Sequence, residues 1–204
     1  METLLIIFIS YVIGIIPVAY LVGRLAGHDL LKEGSGGVSG SAAIEQLGLI
    51  RGAGAGFLDA LKPVLAVLIA QRISVYDVSA VGAISAVIGH IWPLTLRFRG
   101  GRGVGPAGGA LAALGAWQIV IALTGLLLGR AVFKDSAPGV ILGFIATAIL
   151  INLTGQSATL SLASWILLGV LVAGRLMGYR KSASISGTPT RGVIWRRLLF
   201  DRDW

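Results

Sequence analysis

Seven apolar segments occupy most of the 204-residue chain, and their lengths restrict it to folds that a membrane can hold. They lie at residues 4–23, 53–70, 78–96, 104–116, 117–132, 137–153 and 159–176. The first has no charged residue and is about 20 residues long, which is what a helix needs to cross the hydrocarbon core. Because it lacks a basic n-region and a small-residue cleavage site, we expect a retained span. Hydrophobic residues form 55% of the chain and charged residues 13%, so we predict an all-α integral membrane protein.

Residues 104–132 are free of charge up to Arg130 and could form one span or two. Two spans give seven transmembrane helices, and with the N-terminus outside nearly every lysine and arginine falls on the cytoplasmic side. The exceptions are Arg72, which falls outside, and Lys62, which lies within a span. Six spans would instead put the basic C-terminal tail opposite the arginines of residues 97–102. Basic residues concentrate on the cytoplasmic side, so we predict seven spans, with the N-terminus out and the C-terminus cytoplasmic.

This arrangement gives a membrane domain over residues 1–178 and a basic cytoplasmic tail over 179–204. The net charge of +8 then reflects membrane orientation, and no nucleic-acid partner is expected. The chain has no cysteine, which excludes disulfides, thiolate nucleophiles and cysteine metal sites. No carboxylate cluster or paired-histidine box suggests a metal either.

The cytoplasmic loop at residues 33–48, EGSGGVSGSAAIEQLG, is rich in glycine and serine. Glycines allow several backbone N–H groups to converge on one anion, and the serine hydroxyls add further donors. A helix that starts near Ala42 would point its N-terminus at the same anion. The alternative is a flexible linker of the same composition.

A second cytoplasmic loop, within residues 97–106, carries three arginines interleaved with glycines. Arginine forks suit phosphate, and glycines let a ligand approach the backbone. A formal G-x-G-x-x-G match at residues 103–108 has no preceding strand, so we do not interpret it as a dinucleotide site. The alternative is a basic cluster that only fixes topology.

Ionisable residues also occur within the predicted spans. Asp59 and Lys62 are one helical turn apart, and such an intramembrane pair indicates either a functional site or a neutralised pair that joins helices. His90 ends the third segment beside the basic loop, where a hydrogen-bonded structural histidine is more common than a base. His28 has no obvious partner in the sequence.

Four stretches match, in order and spacing, the motifs of a known family. Two are glycine-rich, 34-GSGGVSGSA-42 and 89-GHIWPLTLRFRGGRGVGP-106. The others are 58-LDALKP-63 and the stretch that contains Arg130 and Ser136. With these motifs the chain resembles the bacterial membrane glycerol-3-phosphate acyltransferases that use acyl-phosphate as donor, the PlsY family.

The resemblance implies a seven-span enzyme of the bacterial cytoplasmic membrane with its active site facing the cytoplasm. It implies transfer of a fatty acyl group from acyl-phosphate to the 1-hydroxyl of glycerol 3-phosphate, giving lysophosphatidate in phospholipid biosynthesis, without cofactor or metal. The donor's own phosphate would take the proton, so no side chain serves as a base, and membrane lipid is the further partner.

The resemblance also assigns the two phosphate groups to residues of this chain. The donor phosphate would be held by Ser35, Gly36, Gly37, Ser39, Gly40 and Ser41. The acceptor phosphate would be held by Arg102, Gly100, Gly101, Lys62 and Ser136. His90 would orient the second loop.

Four positions depart from the family pattern. Gly37 and Ala42 replace asparagines of the first motif, and Arg102 replaces a lysine of the second. Glu45 aligns with an arginine that the family associates with glycerol phosphate. These differences motivate two alternatives: a divergent relative that acylates another acceptor, such as a polyol, or a non-catalytic membrane protein that binds an anion or lipid.

Overall fold

The computed structural model describes residues 1–33, 37–73 and 76–176 together with Ile194, and these residues form nine α-helices. In chain order they are α1 (Glu2–Gly14), α2 (Val18–Leu25), α3 (Gly40–Leu47), α4 (Leu49–Ile73), α5 (Tyr76–Ile91), α6 (Val104–Ala113), α7 (Ile119–Phe133), α8 (Ala137–Leu153) and α9 (Ala158–Leu176). A 3₁₀ turn, Leu94–Leu96, follows α5. The predicted basic tail lies outside the described residues apart from Ile194.

Every one of the seven apolar segments contains a helix. In the described part of the chain, four helical stretches are long and apolar enough to cross a membrane: Glu2–Leu25, Leu49–Ile73, Asp77–Leu96 and Ala158–Leu176. Helices α6, α7 and α8 are also apolar but shorter, with 10, 15 and 17 residues. The chain is therefore an all-α, multi-pass membrane protein.

The charge-free stretch of the fourth and fifth segments forms two helices, α6 and α7. The chain leaves α6 through a turn in which Gly115 has a φ of 85°, a left-handed conformation that favours glycine. The N–H of Ala116 donates to the carbonyl of Leu111 at 2.9 Å, which closes this turn before α7 begins.

The helices divide into two compact units, Met1–Ala116 and Trp117–Trp204. In the first unit α4 is central, because it contacts α1, α2, α3, α5 and α6. In the described residues of the second unit, α8 contacts both α7 and α9. Each unit buries its own core, and small residues fill much of it; Ala66, Ala83 and Ala148 are fully buried.

Close packing of α3 on α4 requires a glycine at position 52. A Cβ there would collide with the backbone of Ile44, whereas a Cβ at Gly54, two residues further along α4, would meet nothing within 4 Å. Small residues at such crossings let helix backbones approach closely. The contact fixes α3, and with it the segment from Gly37 to Ser39 that leads into the helix.

The first apolar segment is interrupted, which hydropathy does not reveal. Ile15, Ile16 and Pro17 separate α1 from α2, and Pro17 has no N–H with which to continue the helix. Non-helical backbone within a membrane protein must find partners inside the protein. Here the hydroxyl of Thr95 donates to the carbonyl of Ile15 at 2.9 Å.

Candidate functional site

A cleft in the first unit lies between this interruption and the loop that follows α5. Its empty volume, counting space that is open to the surroundings, is about 190 Å³. Its walls include Gly14, Ile16, Pro17, Val38, Asp59, His90, Gly100 and Gly101. Residues of both glycine-rich loops thus border one cleft, together with two of the ionisable residues that the sequence places within spans.

Backbone hydrogen bonds fold the second loop back onto the end of α5. The N–H of Gly100 donates to the carbonyl of Ile91, and the N–H of Gly101 donates to the carbonyl of His90, both at 3.2 Å. Because these bonds use backbone atoms, the position of the loop is tied to the last turn of the helix that carries His90.

Left-handed backbone conformations shape the same loop. Arg97 and Phe98 have φ values of 53° and 62°, which non-glycine residues adopt only at some cost, and such outliers persist where the surroundings enforce them. Gly103 has a φ of 77° and precedes α6 as its N-cap. Arg102 stands directly before it and is half-buried, whereas Arg97 and Arg99 are exposed.

Three ionisable side chains meet on the buried side of the cleft. Asp59, Lys62 and His90 are 2%, 6% and 7% exposed. The Nζ of Lys62 lies 2.7 Å from the Oδ1 of Asp59, so the two residues form an ion pair. It lies 3.0 Å from the Nδ1 of His90, which in turn is 3.4 Å from the same carboxylate oxygen.

The ammonium of Lys62 also reaches the interrupted span. It donates to the carbonyl oxygens of Gly14 and Ile16, at 3.0 and 2.8 Å. These acceptors follow the last turn of α1, where helix carbonyls lack intrahelical partners and where a cation is favoured by the helix dipole. Lys62 therefore joins α1, α4 and α5 at one point.

In the first loop, Ser35 and Gly36 of the predicted phosphate ligands lie outside the described residues. Helix α3 begins at Gly40, two residues before the predicted start at Ala42. The Oγ of Ser39 accepts from the N–H of Ala42 at 3.3 Å and lies 3.0 Å from the Oγ of Ser41. Ser39 is thus the N-cap of α3, a role that its hydroxyl fits well.

His28 does have a partner, so the sequence interpretation was wrong on this point. Its Nδ1 lies 2.8 Å from a carboxylate oxygen of Glu33, whose other oxygen accepts from the N–H of Asp29 at 2.8 Å. These two contacts, the Asp29 N–H first, lower the pKa of Glu33 below its ordinary value of 4.5. The network closes the turn that leads into the first glycine-rich loop. His28 and Glu33 are five residues apart, a spacing that did not make this local pairing obvious.

Among residues 1–33, 37–73 and 76–176, no three His, Asp or Glu side chains are grouped so that they could hold a metal ion. The cleft instead presents the backbone of Gly100 and Gly101 and the ring of His90, and the half-buried Arg102 follows Gly101 in the chain. Histidine and arginine are typical ligands of an anion, and the glycines let it approach the backbone, although the N–H groups of Gly100 and Gly101 are already bonded to carbonyls of α5.

Comparison with known proteins identifies the family of the chain. A family model described as glycerol-3-phosphate acyltransferase matches residues 4–187. A glycerol-3-phosphate acyltransferase of Thermus thermophilus is 33% identical over 166 residues, covering 79% of this chain and 83% of the relative. Glycerol-3-phosphate acyltransferase 4 of Dehalococcoides mccartyi is 31% identical over 207 residues, covering 95% and 86%. The chain belongs to the glycerol-3-phosphate acyltransferase family.

The fold is also that of a solved member of the glycerol-3-phosphate acyltransferase family. The crystal structure of PlsY, an integral membrane glycerol 3-phosphate acyltransferase, in its glycerol 3-phosphate form matches with a TM-score of 0.78 and 22% identity, covering 92% of this chain and 94% of that one. Its lysophosphatidic acid form matches with a TM-score of 0.77 and 21% identity.

One of the predicted acceptor ligands, Ser136, belongs to the second unit. Ser136 is half-buried and is the N-cap residue of α8, and the N–H of Ala137 after it is bound by the carboxylate of Asp135 at 2.9 Å. The guanidinium of Arg175 donates to the carbonyl of Ala137 at 3.1 Å and is only 5% exposed. Arg175 lies inside the last apolar segment and was not among the predicted site residues.

Proposed function

We propose that this acyltransferase moves a fatty acyl group from acyl-phosphate to the 1-hydroxyl of glycerol 3-phosphate and releases lysophosphatidate for phospholipid synthesis. The observation that carries the proposal is the meeting of Val38 from the first glycine-rich loop with Gly100 and Gly101 from the second at one cleft. A reaction between two phosphate-bearing substrates needs two anion sites side by side, and the family supplies the reaction.

The predicted ligands of the first unit keep their roles in this proposal, with one refinement. The backbone of residues 35–41 holds the donor phosphate, and Arg102, with Gly100 and Gly101 beside it, holds the acceptor phosphate. Lys62 supports the acceptor site from its buried side, because its ammonium already contacts two backbone carbonyls and His90.

In the reaction, the 1-hydroxyl oxygen of the acceptor attacks the acyl carbonyl carbon and forms the new ester bond. The bond between that carbon and the donor phosphate oxygen breaks, and the leaving phosphate takes the hydroxyl proton. Held side by side, the two substrates react as if in one molecule, and donors aimed at the phosphates stabilise the charge that develops.

The proposal includes seven spans in the bacterial cytoplasmic membrane, with the N-terminus outside and the C-terminus inside. The charge distribution supports it, since this topology places both glycine-rich loops with nearly all lysines and arginines in the cytoplasm.

The chain has no cysteine, so single introduced cysteines can be labelled without background from native cysteines. An impermeant thiol reagent added to intact cells should label Asp77→Cys but should label Arg99→Cys only after permeabilisation; the reverse pattern contradicts the topology.

The activity test supplies labelled acyl-phosphate and glycerol 3-phosphate to the protein in lipid and measures lysophosphatidate. We expect Arg102→Gln to raise the KM for glycerol 3-phosphate by about tenfold or more, because a charge-assisted contact to phosphate contributes about 1.5–3 kcal/mol. Arg99→Gln is the matched control, since it removes the same charge from an exposed site in the same loop.

Two results would overturn the proposed function. Product that forms only with another acceptor, such as a polyol, would assign a different substrate. Donor binding without turnover would assign a non-catalytic anion-binding protein.

A further inference from the structure

Four acceptor atoms surround the three hydrogens of the Lys62 ammonium. The carbonyl oxygens of Gly14 and Ile16 and the Nδ1 of His90 lie 3.0, 2.8 and 3.0 Å from Nζ. The Oδ1 of Asp59 lies 2.7 Å away and supplies the countercharge. An ammonium can only donate, so a hydrogen bond from Lys62 to His90 makes Nδ1 the acceptor.

The protonation of His90 is tied to this contact. A neutral imidazole has one donor and one acceptor nitrogen, so an Nδ1 that accepts leaves the hydrogen on Nε2. The Nε2 edge faces the cleft at Gly101, where a Cβ would collide with it and would lie 2.7 Å from the carbonyl oxygen of Val38. His90 is 7% exposed, and its Nδ1 lies 3.0 Å from the Nζ of Lys62 and 3.4 Å from the Oδ1 of Asp59.

We propose that the Nδ1 of His90 accepts from Lys62, that its Nε2–H donates a hydrogen bond to a phosphate oxygen of a substrate bound against Gly101, and that Lys62 and Asp59 are positioning residues that hold the ring in this tautomer. The inference rests on the proposed function, because it takes the ligand to be a phosphate ester or acyl-phosphate. His90 then has two roles: its backbone orients the second loop, and its ring contacts the substrate directly.

The same tautomer excludes His90 as the general base. A base would need the lone pair of Nε2 in the cleft, but that nitrogen already carries a hydrogen. The hydroxyl proton of the acceptor must therefore go elsewhere, which agrees with its transfer to the leaving phosphate.

The chain has only two histidines, so a ring-labelled spectrum can test the tautomer directly. In the ¹⁵N spectrum of His28→Gln, only His90 contributes, and we expect an unprotonated Nδ1 and a protonated Nε2. A ring with its hydrogen on Nδ1, or a doubly protonated ring, would overturn the inference while leaving the activity assay untouched.

Ligand titrations into the same sample identify which phosphate is bound. Glycerol 3-phosphate stands for the acceptor, dodecyl phosphate for the donor without its reactive bond, and inorganic phosphate for the group they share. We expect the Nε2–H resonance to shift with one of the two esters at a lower concentration than with inorganic phosphate. A resonance that none of the three moves would overturn the contact.

Kinetics distinguish the contact from a structural role. Glutamine can place an N–H near the position of Nε2, so His90→Gln should retain most of the affinity for the contacted substrate, whereas His90→Leu should raise its KM about tenfold or more. Equal KM values in the two variants, with both still folded by thermal melting, would overturn the proposal. If neither variant folds, the spectrum and the titrations still decide.

Discussion

Gly101→Ala should reduce the kcat/KM for lysophosphatidate formation by about 10²-fold or more. The new Cβ would collide with the Nε2 of His90 and would lie 3.0 Å from its Cε1 and 2.7 Å from the carbonyl oxygen of Val38. The first obstacle is a buried ring and the second is backbone, so neither can move aside as the tip of a flexible side chain would. A displacement of about 1 Å at a reacting site can cost about 10²-fold.

Overpacking alone costs about 1–3 kcal/mol, so the protein should still fold, with a melting temperature a few degrees lower. Gly105→Ala is the control, because its Cβ would meet only ordinary contacts, the carbonyl oxygen of Gly56 at 3.4 Å and the Cβ of Ala60 at 3.8 Å. Both variants add one methyl group within four residues of each other. A Gly101→Ala enzyme with the kcat/KM of the control would show that the substrates bind elsewhere.

The sequence was informative wherever a local rule applies. Bilayer thickness sets the length of apolar segments, and all seven contain helices. The i, i+3 spacing of Asp59 and Lys62 predicted a pair, and the ion pair is present. Glycines with serines in one loop, and with arginines in the other, predicted two anion sites, and this stays a prediction.

What the sequence could not supply is the tertiary arrangement. His90 joins Asp59 only because α5 packs against α4, and no spacing encodes that contact. The interruption of the first span depends on Pro17, but its partners, Lys62 and Thr95, come from distant segments. Convergence of the two loops on one cleft is likewise a property of packing, which local propensity and hydropathy do not contain.

Lys62→Met should be among the most destabilising single substitutions in the first unit, by about 3–5 kcal/mol. It leaves the buried carboxylate of Asp59 without a countercharge, and breaking a buried pair from one side costs about that much. It also removes the donor to the carbonyls of Gly14 and Ile16. The measurement is thermal melting in lipid, together with an acyl-transfer assay on the protein that remains folded.

The chain contains its own control, a second aspartate and lysine at the same spacing. Asp29 and Lys32 are 3.7 Å apart, and the lysine side chain is 82% exposed. Exposed pairs of this kind contribute about 0–1 kcal/mol, so Lys32→Met should leave the melting temperature nearly unchanged.

A double-mutant cycle on each pair isolates the coupling from the loss of the individual side chains. Asp59→Asn with Lys62→Met removes both charges, so it should be more stable than Lys62→Met alone yet less stable than the wild type, because the carbonyls of Gly14 and Ile16 remain unpaired. The same cycle on Asp29 and Lys32 should give a coupling close to zero. Equal couplings would mean that Lys62 reaches water, in which case it could not fix the tautomer of His90 and would be free to bind phosphate itself.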